Sequence, residues 1–211
     1  MGRSDEALEG YHEALALCRD VGHRRQEAAV LTNMGRHHLR LGELEAAELR
    51  LREAAELVEA HGYGGDLRLG LLNNLGVVAA ELGRDDVPEL LAPALKDARE
   101  LRDRRMESVI LTNLAAHAHS RGRFAEAEEH YRAALEGFGG MGDPLNAALA
   151  GEGLAVLLQA TGRSALAIEL LEQRMADHDT WPESMESHLW ARMGAALADL
   201  GRVEEASQAL G

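Results

Sequence analysis

Leu31–Gly42 reads LTNMGRHHLRLG, and the pattern returns as LNNLGVVAAELG over Leu72–Gly83 and LTNLAAHAHSRG over Leu111–Gly122. Two weaker copies follow, GEGLAVLLQATG over Gly151–Gly162 and WARMGAALADLG over Trp190–Gly201. With Gly2 added in front, the closing glycines stand 40, 41, 39, 40 and 39 residues apart. Counting back from each, position −11 is Leu31, Leu72, Leu111, Gly151 or Trp190. Position −8 is Met34, Leu75, Leu114, Leu154 or Met193, and position −7 is Gly35, Gly76, Ala115, Ala155 or Gly194. Position −4 holds His38, Ala79, Ala118, Leu158 or Leu197. The spacing −11, −8, −7, −4, −1 describes one face of a helix.

The downstream side repeats as well. Position +5 is Ala7, Ala47, Pro88, Ala127, Ala167 or Ala206, and position +9 is Tyr11, Leu51, Ala92, Tyr131 or Leu171. The glycine stops one helix, because glycine takes a left-handed C-cap without a Cβ penalty. A second helix starts just after it, and the small residues at −7 and +5 let the two approach closely. The unit is an amphipathic helical hairpin that buries its face only by stacking on its neighbours.

Composition agrees. Of 211 residues, 46% are hydrophobic and only 3% aromatic, with four prolines, which favours helices over a β-sandwich. No run of 18 apolar residues exists, so no transmembrane helix is expected, and no signal peptide is visible. A single cysteine excludes a disulfide framework and a cysteine zinc site. The net charge of −14 opposes direct binding to nucleic acid or an anionic membrane.

These registers resemble the tetratricopeptide repeat family: an aromatic or Leu at −11, Leu or Met at −8, Gly or Ala at −7, the turn glycine, Ala at +5, and Tyr or Leu at +9. The period near 40 is longer than the family's usual one and is similar to that of kinesin light chains and of arrays in bacterial regulators. The resemblance implies an all-α, right-handed α-solenoid of about 11 helices. They are expected near 4–21, 25–41, 43–61, 67–82, 85–102, 105–121, 123–137, 144–161, 163–178, 183–200 and 202–210. The segments HGYGGD and GFGGMGD read as turns, with Asp143 as an N-cap and Pro144 in the first turn. Asp85 and Asp86 read as caps of the helix that follows them.

On this reading residues 1–211 form one array. An orphan second helix (4–21) precedes repeats 25–62, 66–103, 105–142, 144–181 and an incomplete 183–211. The expectation is a piece of a longer protein, whose terminal helices expose apolar stripes that invite homodimerisation.

Chemistry-bearing motifs are scarce. Gly137-x-Gly139-x-x-Gly142 follows a helix rather than a strand and reads as an inter-repeat turn, not a nucleotide loop. His37 and His38 are adjacent and His117 and His119 two apart, so neither pair shares a helix face for a metal. Cys18 has no evident base. No catalytic set, metal site or cofactor is expected.

The informative register is −9, which carries Asn33, Asn74 and Asn113, followed by Gly153 and Arg192. Asn is a mediocre helix-interior residue, so its recurrence asks for a reason. A side-chain amide offers both donor and acceptor and can hold an extended peptide backbone independently of sequence. The resemblance implies that −9 lines the concave groove. The competing reading is that the amides bond neighbouring helices and set the pitch. Other groove candidates are Arg36, Arg40, Asn73, Thr112, His119, Glu152, Gln159, His188 and Arg192. Arg36 and Arg40 are placed to pair with an acidic group.

The expected function is a non-catalytic protein- or peptide-binding module. The resemblance places it as the sensor or oligomerisation part of a cytoplasmic bacterial transcriptional regulator. The alternative is a scaffold for self-assembly with no groove ligand.

Overall fold

Every chain reversal in the first-helix series is made by the glycine that marks the repeat. Gly42, Gly83, Gly122, Gly162 and Gly201 have φ of 74, 69, 71, 74 and 72°. At the first, the Glu43 amide donates to the His38 carbonyl at 3.0 Å and the Gly42 amide to Leu39, also at 3.0 Å. The same long bond recurs from Arg84 to Ala79, Arg123 to Ala118, Arg163 to Leu158 and Arg202 to Leu197. These are Schellman closures, which satisfy carbonyls that the helix leaves free.

The computed structural model describes residues 3–176 and 183–210. Among them lie eleven helices and no strand: α1 (Arg3–Asp20), α2 (Arg24–Arg40), α3 (Leu44–His61), α4 (Asp66–Glu81), α5 (Val87–Leu101), α6 (Arg104–Ser120), α7 (Phe124–Met141), α8 (Pro144–Ala160), α9 (Ser164–Ala176), α10 (Glu183–Asp199) and α11 (Val203–Leu210). The expected end of α9 at 178, and its connection to α10, fall outside the described residues.

The chain divides into two compact units, 1–102 and 103–211. In the first, α1 packs on α2, α2 on α3, α3 on α4 and α4 on α5, and α2 also touches α4. In the second, consecutive helices from α6 to α11 pack in order, and α6 touches α8 and α8 touches α10. Within each unit, first helices therefore stack on first helices, as expected for an all-α array of stacked hairpins.

The small residues act as read. An ideal Cβ on Gly35 would stand 2.5 Å from Leu51 Cγ, and one on Gly76 would stand 2.3 Å from Leu91 Cδ2. Only glycine at −7 admits the leucine of the same hairpin so closely. Ala47, Ala127 and Ala167 at +5 are fully buried.

Four expectations need correction. The buried face of the first helix includes −5, occupied by His37, Val78, His117, Leu157 and Ala196, whereas Leu41 and Leu200 at −1 are exposed. The +5 slot assigned to Pro88 is filled by Val87, which is fully buried, with Leu91, Ala94 and Ala98 continuing that face. Gly62 to Gly83 spans 21 residues against 20 from Gly22 to Gly42, so α5 meets α4 one residue early. The segment Gly137–Met141 is helical rather than a turn. Phe138 is almost fully buried there, and burying a phenylalanine outweighs the helix cost of its glycine neighbours. Finally, Asp86 precedes α5 without making a side-chain cap bond; its carboxylate pairs with Arg84 instead.

Other local expectations agree. The Asp143 carboxylate accepts from the Asn146 amide at 3.2 Å, with Pro144 opening α8.

Candidate functional site

Repeated ion clips hold consecutive hairpins in register. In the first unit, Arg84 beyond α4 donates Nη1 to Glu48 Oε1 of α3 at 2.5 Å, and Arg52 approaches the same oxygen at 2.7 Å. In the second, Arg163 beyond α8 reaches Glu128 of α7 at 2.7 Å, and Arg132 reaches it at 2.8 Å. Hydrogen bonds from Arg163 and Arg132 hold the Glu128 carboxyl below the usual range. Arg84 does the same for Asp86. Asn146, assisted by Arg105, lowers Asp143. At Glu27 of α2, burial opposes ionisation but Arg19 and Arg24 outweigh it and depress the carboxyl. The Arg84 and Arg163 clips tie the turn at the end of a first helix to the second helix of the preceding hairpin.

Within the first unit, Asn33 of α2 is half-buried. Its Oδ1 accepts from Arg36 Nη2 at 3.1 Å, one turn along the same helix. Asn74 of α4 is also half-buried. Asn73 beside it has a partner of its own and is half-buried. Arg40 is exposed and donates to His37 Nδ1 at 3.1 Å. That bond makes Nδ1 an acceptor, so the proton of the neutral ring lies on Nε2. The bond to Arg36 uses the Asn33 oxygen, and the amide also carries two N–H donors that this pair does not use.

In the second unit, Asn113 of α6 is half-buried and already has an interaction partner. Thr112 turns its hydroxyl inward, donating to the Ser108 carbonyl at 2.9 Å. His119 packs edge-on to Phe124, ring centres 5.9 Å apart. Arg192 of α10 donates Nε to Glu152 Oε1 of α8 at 2.9 Å, and His188 Nδ1 lies 3.9 Å from the other oxygen. Gln159 donates to Asp199 at 3.0 Å. The α8 and α10 candidates thus pair mainly with each other, across neighbouring first helices.

The register at Gly153 holds a feature that the sequence reading missed. A Cβ there would stand 2.6 Å from Cε1 and Cζ of Tyr131 and 2.7 Å from its hydroxyl. The tip of Tyr131, from α7, occupies the place of the −9 side chain. The available signal was the coincidence of Gly at −9 with Tyr at +9 of the preceding hairpin. Burial pushes the Tyr131 phenol up in pKa.

A separate cleft of about 420 Å³ lies among α9, α10 and α11, floored by Met175, Trp190, Met193 and Leu197. None of the candidate residues lines it. Among the described residues, no group of three or more His, Cys, Asp or Glu is placed to hold a metal. No described helix is long and apolar enough to cross a membrane.

The family model for the tetratricopeptide repeat matches residues 1–60. No curated protein sequence matches the chain. Among solved structures, BtubC (BKLC) from P. vanneervenii is similar at TM-score 0.82 and 19% identity, covering 100% of this chain and 89% of that one. The apo quorum sensor NprR from B. thuringiensis is similar at TM-score 0.76 and 14% identity, covering 94% of this chain and 56% of NprR. NprR in complex with its cognate peptide NprX gives TM-score 0.68 at 14% identity, covering 88% and 54%. This chain spans about half of the solved NprR chain, and these identities speak for the fold alone. The tetratricopeptide-repeat match thus covers the start of the chain, and the whole chain has the fold of solved structures built from such repeats.

Proposed function

We propose that the chain is a non-catalytic module that binds an extended peptide or protein segment along its first helices, with Asn33, Asn74 and Asn113 as backbone contacts. One observation carries this reading: among the described residues Asn33 bonds only Arg36, on its own helix, and is half-exposed. An amide that set the helix pitch would instead cross to a neighbouring helix. Arg36 and Arg40, both exposed on α2, give the first unit an anionic preference, while Asn73, Thr112, His119 and Arg192 flank the amides. The peptide complex of NprR, a protein of similar fold, is consistent with peptide sensing as part of a bacterial transcriptional regulator.

The test is binding of peptide-library winners to the wild type and to a combined Asn33→Ala, Asn74→Ala, Asn113→Ala variant. The expected outcome is at least a tenfold loss of affinity, about 1.4 kcal/mol, with an unchanged melting temperature. Equal affinity, or a lower melting temperature without any binding, sinks the groove assignment.

A second reading, self-assembly, is favoured by the exposure of Leu17 on α1 and Val203 on α11, 63% and 69%. Sedimentation of the wild type beside Leu17→Glu and Val203→Glu decides it. A dimer that the substitutions dissolve supports a homodimer through these helices, and a monomeric wild type ends that reading.

A further inference from the structure

Tyr131 presents an unusual combination. Its side chain is 4% exposed, yet its hydroxyl has no hydrogen-bond partner among the described residues, and it is not one of their sealed-off polar atoms. Buried polar groups are ordinarily satisfied. The phenol tip sits where a side chain at Gly153 would stand. Gly153 is the −9 residue of α8, the register that carries Asn33, Asn74 and Asn113 in the three preceding repeats. In the two complete hairpins of the first unit the equivalent position is leucine: Leu51 at +9 ends beneath Gly35, and Leu91, at +8 because of the one-residue slip at Val87, ends beneath Gly76. Tyrosine is longer, and here it reaches past its own hairpin to the next first helix.

We propose that the Tyr131 hydroxyl, reaching the surface through the gap left by Gly153, replaces the missing amide as the polar contact of the fourth repeat to the bound peptide backbone. This rests on the peptide-binding reading above and extends it to a repeat whose own −9 residue has no side chain. A phenol hydroxyl both donates and accepts, so it serves either an N–H or a carbonyl of an extended chain. The surrounding residues fit a backbone rather than a charged group. Glu152 and Arg192 of this region neutralise each other at 2.9 Å, and Gln159 is engaged with Asp199.

The experiment uses a phage-displayed library of random dodecapeptides selected on the full chain. The winning peptides are then titrated against Tyr131→Phe, against the triple Asn variant, and against a Tyr131→Leu, Gly153→Asn double variant. Phe keeps the ring and removes a hydroxyl with no internal partner, so the melting temperature should not move. Affinity should fall about five- to tenfold, the worth of one hydrogen bond. The double variant rebuilds a leucine beneath and an amide above, and should return to within about twofold of the wild type.

Full affinity in Tyr131→Phe, with loss in the triple Asn variant, overturns this proposal and leaves the groove reading standing. Loss in Tyr131→Phe with none in the triple variant supports the proposal and removes the amides from the site. A library that yields no winner overturns both.

Discussion

The two units solve one packing problem in different places. In the first, the closest approaches lie inside a hairpin: Gly35 against Leu51, and Gly76 against Leu91. In the second, position −7 is Ala115 and Ala155, both fully buried. The tight contacts there have moved to Gly137 against Ser108 and Gly153 against Tyr131, the latter between successive hairpins. A larger +9 side chain thus shifts the need for glycine from its own hairpin to the next. The lesson is that the place where a Cβ is forbidden is set by the reach of the opposing side chain, not by the repeat register alone.

The sharpest way to break this comparison is a double-mutant cycle. Leu51→Ala removes a fully buried leucine and should cost about 2–5 kcal/mol. Gly35→Ala alone should be neutral to about 2 kcal/mol destabilising, because overpacking outweighs the helix gain of about 1 kcal/mol. In the Leu51→Ala background the leucine clash is gone and only a 3.2 Å approach to the Ala47 carbonyl remains, so Gly35→Ala should become less destabilising, or stabilising by up to about 1 kcal/mol. Additive effects in urea melts would show that the contact is not what requires glycine.

A smaller effect tests the turns. The second-helix closures fall at Gly22, Gly62 and Gly142, with φ of 71, 64 and 65°, and at Arg102 with φ 57°. Arg102 is the one described non-glycine residue in left-handed conformation. Arg102→Gly should stabilise by about 1 kcal/mol and Gly62→Ala should destabilise by a similar amount. An unchanged or lowered melting temperature for Arg102→Gly would mean that its side chain offsets the backbone cost.

The smallest effect is in acid. Glu27, Asp86, Glu128 and Asp143 have folded pKa values below their ordinary ones. Their contribution is present above the unfolded values, about 4, and is lost as pH falls through the folded values. Stability should be level from pH 7 to about 5 and decline below. Glu128→Gln should remove part of that slope and cost about 1 kcal/mol or less at pH 7. A slope identical to the wild type would show that the clip of Arg163 and Arg132 adds no ionisation-linked stability.

The first-helix glycine series, the Leu or Met at −8 and the small residue at −7 were legible in the sequence, because each has one chemistry that recurs. Position −5 was not, since His37, Val78, His117, Leu157 and Ala196 share burial and nothing else. The slip at Val87 was hidden for another reason. An extra residue between Gly62 and Gly83 is cancelled before Arg102, so counting from Gly83 lands on Pro88. The second series, Gly22, Gly62, Arg102 and Gly142, went unread because an arginine interrupts it. At the candidate site the amides stood out by position, but the Tyr131 contact with Gly153 joins two hairpins and depends on the reach of a ring. No periodicity in a single chain displays that.

That cancelled residue also says something about how such a chain changes. Closures at 22, 62, 102 and 142 keep a 40-residue metre while the first-helix closure between them moves by one. A hairpin therefore behaves as a cassette whose outer joints are fixed and whose inner joint is free to drift. Duplication or exchange at the outer joints preserves phase for every hairpin downstream. A length change at the inner joint is absorbed locally, which lets individual repeats diversify without disturbing their neighbours.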